Sequence, residues 1–350
     1  MIYFDNIIFS LQKNGGISVV WYNILKEILS GNIPFCCLEY PDAKENFLRK
    51  NLDIPMSSIV HYKIPCNLNR YLPFCAEELQ IPIFHSSYYR YCTNRETINI
   101  TTIHDFTYEY YFSGLAKTIH CHQKYKAIRH SKVVICISEN TKRDLLHFVP
   151  DISPSKIQVI YNGVSEDYYQ LNVSDRLDLS NYILFVGARD GYKNFRFVVD
   201  ALENTSYNLA ICGKPLSLTE KDLLNSKLGP HRYSVFENVD NQTLNKIYNS
   251  VYCLVYPSSY EGFGIPVIEA QRSGCPVIAL NTSSIPEIIG ETPLLLPNLD
   301  VAHFLDRMRL IADDRIRNEI IEAGLVNSRR FSWNKMTYEY LTIYQELLNM

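Results

Sequence analysis

The sequence contains no long apolar run and no excess of positive charge. No apolar stretch of about 18 residues occurs and no signal peptide is recognisable, so we expect neither a transmembrane helix nor secretion. The 34 Lys and Arg residues are outnumbered by 37 Asp and Glu residues. Broad nucleic-acid binding requires a basic surface that neutralises phosphates, so we expect no nucleic-acid partner. These absences favour a cytoplasmic protein.

Disulfide and metal-binding patterns are also missing. The ten cysteines lie mostly within apolar runs of a large chain, which favours buried reduced thiols over a disulfide framework. His120-Cys121-His122 suggests metal binding at first, but consecutive residues of a helix point in different directions and are not expected to share one ion. No Asp-x-Asp sequence is present. We therefore expect no metal site and no cofactor.

The chain is long enough for two domains. Its 350 residues, 47% hydrophobic and 20% charged, have the composition of a globular protein that can bury two cores. Short apolar runs alternate with segments of helical spacing, which predicts α/β domains whose parallel sheets are covered on both faces. These runs lie at residues 2–9, 33–38, 59–64, 81–85, 98–103, 133–137 and 157–160, and again at 182–186, 207–212, 233–236, 251–256, 276–280 and 294–296.

A polar segment between the two series of strands predicts the domain boundary. The apolar periodicity is lost at residues 165–181, which we interpret as a linker. We predict an N-terminal Rossmann-like domain at residues 1–168 and a C-terminal one at residues 178–332. Residues 333–350 carry an amphipathic tail helix that could close either domain. Two doubly wound domains facing a central cleft would bind ligands at the C-terminal ends of their strands.

One stretch in the second half combines a strand, a glycine loop and a helix. The helix is opened by Pro266, whose missing N–H costs nothing in a first turn. We expect the backbone N–H groups of Phe263, Gly264 and Ile265 to lie at the positive end of this helix, where they favour a phosphate. The alternative is that the glycines only form a turn.

Two carboxylates bracket this predicted anion site. Glu261 and Glu269 are eight positions apart, and an ionised carboxylate can accept hydrogen bonds from two hydroxyls of a sugar or a ribose. A phosphate flanked by two polyols describes a nucleotide-diphosphate sugar. The alternative is that both side chains face water.

A second phosphate signal precedes this stretch. After the apolar run at residues 182–186, Arg189 and Lys193 lie in the loop that leads into the next helix. Arg offers a planar fork of donors and Lys a mobile point charge, a pair suited to a diphosphate. The alternative is a solvated surface pair, the usual position of these residues.

With these motifs, the chain resembles the retaining glycosyltransferases of the GT-B fold, specifically the family-4 group. The resemblance covers nearly the whole chain. It rests on Glu261-x7-Glu269, Gly187-x-Arg189-x3-Lys193-Asn194 and Ser283-Ser-Ile-Pro-Glu287 in the second domain, and on Gly15-Gly16, His104-Asp105, Ile137-Ser138-Glu139 and Asn162-Gly163-Val164 in the first.

The resemblance implies roles for the second domain. Arg189 and Lys193 would hold the donor diphosphate, Glu269 the ribose hydroxyls and Glu261 the donor sugar, while the backbone of residues 263–265 meets the sugar and the phosphate. Leaving-group stabilisation by two cations would replace a metal, with retention at the anomeric carbon.

The resemblance also implies roles for the first domain. Gly15 and Gly16 would let a helix N-terminus approach the same diphosphate, and His104 would face the transferred sugar from the opposite wall of the cleft. The tail helix would cross back onto this domain. Many relatives carry a charged residue soon after the glycine pair, whereas residues 17–20 are uncharged, which leaves the acceptor side open.

The function that the resemblance implies is transfer of a hexosyl unit from a GDP- or UDP-sugar, for example GDP-mannose. The acceptor would be a saccharide or a lipid-linked molecule in bacterial surface polysaccharide synthesis. Two alternatives are a sugar-nucleotide epimerase of the same fold, which Glu261-x7-Glu269 disfavours, and a non-catalytic sugar-nucleotide or glycan-binding protein.

A basic segment leaves a membrane contact open. Residues 117–132 contain five Lys or Arg residues and no acid, so this segment could dock on anionic lipid headgroups at the inner face of the membrane. The alternative is a solvated helix face.

Overall fold

The computed structural model describes residues 1–13, 15–63, 66–76, 80–189 and 191–349. The chain divides into two compact units. Unit 1 comprises residues 1–163 together with 333–350, and unit 2 comprises residues 164–332.

Each unit is built on one parallel sheet. The seven strands of unit 1 follow the order β3-β2-β1-β4-β5-β6-β7, and the six strands of unit 2 the order β10-β9-β8-β11-β12-β13. The strands are β1 Ile2–Asp5, β2 Phe35–Glu39, β3 Ile59–His61, β4 Ile83–Ser86, β5 Ile98–Ile103, β6 Ser131–Cys136, β7 Ile157–Val159, β8 Tyr182–Val186, β9 Asn208–Gly213, β10 Tyr233–Glu237, β11 Cys253–Tyr256, β12 Val277–Leu280 and β13 Leu295–Leu296.

Helices connect these strands. Those of unit 1 are α1 Ile8–Leu11, α2 Gly16–Ser30, α3 Cys66–Asn69, α4 Thr107–Tyr111, α5 Gly114–His130 and α6 Glu139–Phe148. Those of unit 2 are α7 Phe195–Leu202, α8 Leu218–Lys227, α9 Asn241–Ser250, α10 Ile265–Arg272, α11 Ile285–Ile289, α12 Val301–Leu310 and α13 Asp314–Ser328; the last helix, α14 Trp333–Leu348, belongs to unit 1. Among the described residues, no helix combines the length and the apolar character needed to cross a bilayer.

The sheet order creates a switch point in each unit. In unit 2 the chain adds strands on one side of β8 and then returns to add β11 on the other side. The loops that follow β8 and β11 therefore leave neighbouring strand ends in different directions, which opens a crevice suited to a ligand. In unit 1 the corresponding neighbours are β1 and β4.

The tail helix packs into the core of unit 1. Tyr340 and Tyr344 of α14 are buried in the same apolar cluster as Phe4 and Trp21. The Tyr344 hydroxyl lies 2.7 Å from His85 Nδ1, so α14 is fixed by a buried polar contact as well as by apolar packing.

The polar segment at residues 165–181 lies along α9 in unit 2. The backbone N–H groups of Tyr169 and Leu171 donate to the amide oxygens of Asn245 and Asn249 at 3.2 and 2.8 Å. Side-chain acceptors thus satisfy the backbone of this segment, which we had interpreted as a linker because it lacks apolar periodicity.

Candidate functional site

The loops after β8 and β11 are tied together by Asn194. This residue has φ of +53°, in the left-handed region that Asn tolerates better than most residues. Its amide donates to the Pro257 carbonyl at 2.8 Å and to Ser259 Oγ at 2.7 Å. The contact between the two loops brings the side chains of Lys193 and Glu261 next to each other.

Lys193 and Glu261 form an ion pair through Nζ and Oε1. Their side chains are 17% and 12% exposed, so the pair is mostly shielded from water. The Lys193 ammonium also lies 5.7 Å from the centre of the Tyr256 ring, within the range of a cation–π interaction. The predicted diphosphate-binding cation and the predicted sugar-binding carboxylate are therefore partners of each other.

Arg189 is held by a second carboxylate, which sequence reasoning missed. Its Nε donates to Glu220 Oε1 at 2.5 Å, and its Nη2 donates to the Pro215 carbonyl at 2.8 Å. The hydrogen bond from Arg189 lowers the pKa of Glu220 to about 2. Nη1 is buried without a hydrogen-bond partner among the described residues. The Nε–Nη2 edge of the Arg189 guanidinium, which the sequence suggested for a diphosphate, is thus already bonded to Glu220. Nη1 is the nitrogen of this group that could still donate to a ligand.

A local sequence signal for Glu220 exists. Ser217 caps α8, and Glu220 is its capping-box partner: Ser217 Oγ accepts from the Glu220 N–H, and Glu220 Oε2 accepts from the Ser217 N–H. The capping box fixes the position of Glu220 along the helix. Its contact with Arg189, 31 residues earlier, follows only from the packing of the loops.

The glycine loop leads into α10 through a left-handed residue. Gly264 has φ of +107°, and a Cβ at this position would lie 2.9 Å from Ile285 Cδ1. Ser284 Oγ donates to the carbonyl groups of Glu261 and Phe263 at 2.9 and 2.8 Å. The Phe263 side chain is buried edge-on against Phe331, so this residue offers only its backbone to a ligand.

Glu269 lies in the second turn of α10 and is half-buried. Its Oε2 accepts a hydrogen bond from the Tyr248 hydroxyl at 3.0 Å. Burial raises the pKa of Glu269 to about 7, although hydrogen bonds from Tyr248 and Tyr168 act in the opposite direction. Near neutral pH this carboxylate is therefore balanced between its neutral and its ionised form.

The predicted residues of unit 1 lie at the C-terminal edge of its sheet. Gly15 precedes α2, and a Cβ at this position would overlap the side-chain oxygen of Gln12. A Cβ at Gly16 would meet no described atom within 4 Å, so α2 faces open space in this unit at its first residue. His104 follows β5 and is 8% exposed, and burial lowers its pKa to about 4. His104 is therefore a neutral imidazole at physiological pH.

The predicted site residues thus fall into two groups. In unit 2, Lys193 and Glu261 are in direct contact, whereas Arg189 pairs with Glu220 after β8 and Glu269 is bonded to Tyr248 from α10, the helix that residues 263–265 lead into. Gly15, Gly16 and His104 lie beyond the strand ends of unit 1.

The sequence His120-Cys121-His122 differs from our expectation in one respect. One ligand atom each of Glu109, His120 and Cys121 lies within 4.8 Å of the others, so two neighbouring helical residues do face one point. The Lys124 ammonium is 2.9 Å from Glu109 Oε2 and already supplies a positive charge there. A buried ammonium beside the same carboxylate disfavours a metal ion, and the absence of a metal site stays a prediction.

The basic segment of α5 is only partly available to a membrane. Lys124 is buried in its pair with Glu109, and the Lys117 ammonium donates to the Glu109 carbonyl at 2.6 Å. Arg129 pairs with Asp151 at 3.0 Å. Lys126 and Lys132 are exposed. Counting charges along the sequence therefore overestimated the positive charge of this surface.

Two family models match the chain. The model described as "Glycosyltransferase Family 4" matches residues 14–168, and the model described as "Glycosyl transferases group 1" matches residues 172–325. Together they account for most of both units.

Curated relatives carry related names. The chain is 25% identical to O-antigen chain mannosyltransferase B of Escherichia coli, over 76% of this chain and 74% of that protein. It is 30% identical to O-antigen chain mannosyltransferase RfbU of Salmonella typhimurium, over 57% of this chain and 58% of that protein. The chain thus spans less than two thirds of the second relative.

Solved structures share the fold along the whole chain. HepE of Anabaena, in complex with UDP and glucose, has a TM-score of 0.74 at 14% identity, over 98% of this chain and 99% of that one. WaaG, a glycosyltransferase involved in lipopolysaccharide biosynthesis, has a TM-score of 0.70 at 12% identity, over 98% of this chain and 99% of that one. The predicted family and fold class are confirmed: the chain is a family-4 glycosyltransferase with the GT-B fold.

Proposed function

We propose that this protein is a retaining glycosyltransferase that moves a hexosyl unit from a nucleotide-diphosphate sugar to a saccharide or lipid-linked acceptor. The observation that carries the proposal is the Lys193–Glu261 pair at the strand ends of unit 2. It joins a cation suited to a diphosphate to a carboxylate suited to sugar hydroxyls, next to the N-terminus of α10.

Donor binding in unit 2 would exchange the partners of this pair. The diphosphate takes the place of Glu261 at Lys193, and Arg189 adds Nη1, which has no hydrogen-bond partner in the part of the chain that the structure describes. The released Glu261 accepts hydroxyls of the sugar, and Glu269 accepts the ribose hydroxyls. The backbone of residues 263–265 contacts the sugar and the phosphate.

The proposed reaction forms a bond between the acceptor oxygen and the anomeric carbon while the bond to the diphosphate oxygen breaks. Lys193 and Arg189 stabilise the charge of the departing diphosphate, whose oxygen takes the proton of the acceptor hydroxyl on the same face of the sugar. His104, being neutral, serves as a hydrogen-bond partner for the transferred sugar rather than as a cation. With two cations in this role, no metal is required.

The relatives suggest the substrates to test first. Because two of them are named O-antigen mannosyltransferases, we propose GDP-mannose as the first donor and a surface polysaccharide precursor as the acceptor class. UDP-sugars come next, because the structure of HepE contains UDP and glucose.

The test is nucleotide release from GDP-, UDP-, ADP- and dTDP-sugars, with and without chelator. We expect the wild type to hydrolyse one donor slowly, at a rate that chelator does not change. The rate should fall about a hundredfold in Lys193→Ala, because a charge-assisted contact contributes about 1.5–3 kcal/mol and this contact acts on the leaving group. Lys246→Ala, which removes an exposed lysine of α9, is the matched control.

Each other outcome contradicts a specific part of the proposal. Loss of activity with chelator contradicts the metal-free reaction. Conversion of the donor sugar without nucleotide release indicates an epimerase. Binding of a donor without turnover in the presence of a broad set of saccharide acceptors indicates a binding protein. Inversion of the anomeric configuration in the product, read by NMR, contradicts retention.

We further propose that unit 1 contacts the membrane through apolar side chains of α5 and the turn before it. Phe112, Leu115 and Ile119 are 45%, 75% and 43% exposed, and the exposed Lys126 can reach lipid headgroups from the same helix. Co-sedimentation with phosphatidylglycerol vesicles should fall severalfold in the double variant Phe112→Ser, Leu115→Ser. Leu218→Ser, at an 80% exposed leucine of unit 2, is the control. Equal sedimentation of both variants would refute the contact.

A further inference from the structure

A cavity of about 620 Å³ with both polar and apolar walls lies at the C-terminal edge of the unit 1 sheet. Its walls come from segments that follow β1, β2 and β3, including Ser10, Tyr40, Asp42, Arg70 and Tyr71. The segment that contains Ser10 continues directly into the glycine pair that begins α2. The cavity therefore occupies the edge at which open α/β sheets bind their ligands.

Two groups of opposite hydrogen-bonding character line this cavity. Asp42 is exposed and its Oδ1 accepts from Ser10 Oγ at 2.7 Å, while no hydrogen bond to Oδ2 is found among the described residues. Arg70 is half-buried, and its Nε is buried without a hydrogen-bond partner in the described part of the chain. A carboxylate only accepts hydrogen bonds and a guanidinium only donates them. A hydroxyl can do both, so neighbouring hydroxyls would satisfy the two groups together.

Aromatic rings complete the cavity. The Arg70 guanidinium lies 4.9 Å from the centre of the Tyr71 ring and 5.4 Å from that of Tyr88, which holds it by cation–π contacts. Tyr71 is 50% exposed, so part of its ring is available to a ligand. Tyr40 is buried beneath, with its hydroxyl bonded to the amide of Asn69. A half-exposed tyrosine ring offers an apolar face that matches the C–H face of a sugar ring.

We propose that this cavity is the acceptor subsite and that it binds a neutral hexopyranosyl unit. The sugar ring lies on Tyr71, one hydroxyl donates to Asp42, and a neighbouring hydroxyl accepts from Arg70. Asp42 and Arg70 carry opposite charges, so the cavity lining favours a neutral sugar over an anionic ligand such as a phosphate or a uronic acid. The inference rests on the proposed glycosyl transfer and adds the class of acceptor and the residues that recognise it.

The experiment measures transfer to the methyl glycosides of mannose, glucose, galactose and N-acetylglucosamine, with the donor that the hydrolysis panel selects. We expect Tyr71→Ala and Asp42→Asn each to raise the acceptor KM about tenfold, which corresponds to one contact of about 1.4 kcal/mol. We expect kcat to change by less than about threefold and the Kd of the donor, measured by calorimetry, by less than about twofold. The controls Tyr338→Ala and Asp53→Asn alter an exposed tyrosine and an exposed aspartate of the same unit.

A separate measurement decides the case in which no methyl glycoside is used as an acceptor. Saturation-transfer NMR with the same glycosides should show signals from the sugar protons in the wild type that disappear in Tyr71→Ala. An unchanged acceptor KM in both cavity variants, or no saturation transfer to any glycoside in the wild type, would overturn the subsite. Glycoside binding that depends on Tyr71, in a protein that binds and hydrolyses no donor, would support the subsite and refute the transferase function.

Discussion

Replacement of Glu261 by glutamine should have opposite effects on two ligands that differ only in the sugar. Glu261 is the ion-pair partner of Lys193. A nucleoside diphosphate without sugar must displace this carboxylate and offers it nothing in return. A nucleotide sugar displaces it as well but supplies hydroxyls for it to bind. The Glu261→Gln variant removes the competing charge in both cases and the sugar contact only in the second.

The magnitude follows from the exposure of the pair. Exposed ion pairs contribute about 0–1 kcal/mol and hydrogen bonds to charged groups about 1.5–3 kcal/mol. Side chains that are 17% and 12% exposed lie between these cases, and we take about 1 kcal/mol for the competition. GDP or UDP should then bind about fivefold more tightly to Glu261→Gln. The ratio of the sugar-nucleotide Kd to the nucleotide Kd should rise about tenfold or more, because the charged contact to the sugar is lost.

The assay is calorimetric titration of the wild type and of Glu261→Gln with GDP, UDP and the corresponding nucleotide sugars. Glu322→Gln removes an exposed carboxylate of α13 in the same unit and controls for the change in net charge. Weaker binding of nucleotide and nucleotide sugar to the same extent would refute the reasoning, because Glu261 would then stabilise the loop rather than compete with the phosphate. No change for either ligand would place Glu261 outside the site.

Three further predictions concern α10 and the glycine before it. Because burial raises the pKa of Glu269 to about 7, nucleotide affinity should rise between about pH 6 and pH 8 as the carboxylate ionises. This rise should be absent in Glu269→Gln. It should shift to higher pH in Tyr248→Phe, which lacks a hydrogen bond that lowers the pKa of Glu269. The pKa of Glu269 is higher in the folded than in the unfolded protein, so its contribution to stability is full below about pH 4.5 and is lost as the pH rises through 7. Thermal melts without nucleotide at several pH values should therefore show a loss of stability over this range that Glu269→Gln does not show. Gly264→Ala should lower the free energy of unfolding by about 1–2 kcal/mol, because φ is +107° and the new Cβ would press on Ile285. An unchanged denaturation midpoint in Gly264→Ala would contradict the strain.

The proximity of Lys193 and Glu261 could be predicted because it depends on the sheet. Continuous apolar runs identify β8 and β11, and polar residues that directly follow parallel strands collect at one edge. Lys193 and Glu261 follow these two neighbouring strands, so their proximity is a consequence of the strand order. Their direct pairing was not predicted, because a motif describes what each residue does to a ligand and not which protein residue it contacts.

Other contacts leave no periodic signal in the sequence. Tyr168 belongs to the segment that its composition indicates as a linker, yet its hydroxyl donates to Asn241 Oδ1 at 3.3 Å, and side-chain amides of α9 hold the residues that follow it. Lys124 counts as a surface charge in a basic segment, yet its partner Glu109 lies in the preceding helix. Such contacts between polar side chains depend on the three-dimensional path of loops, which hydrophobic spacing does not encode.

The pairing of Arg189 and Lys193 has a consequence for turnover in the proposed reaction. Each of the two cations is paired with a carboxylate, so neither position carries an unbalanced positive charge. A nucleotide sugar satisfies both Lys193 and Glu261, whereas the nucleotide product leaves Glu261 with neither the ammonium nor a hydroxyl. The site is therefore better matched to the donor than to the product, and the return of Glu261 to Lys193 favours product release. On this argument Glu261→Gln should be more strongly inhibited by its nucleotide product than the wild type, and equal inhibition constants would show that the two carboxylate partners do not compete in this way.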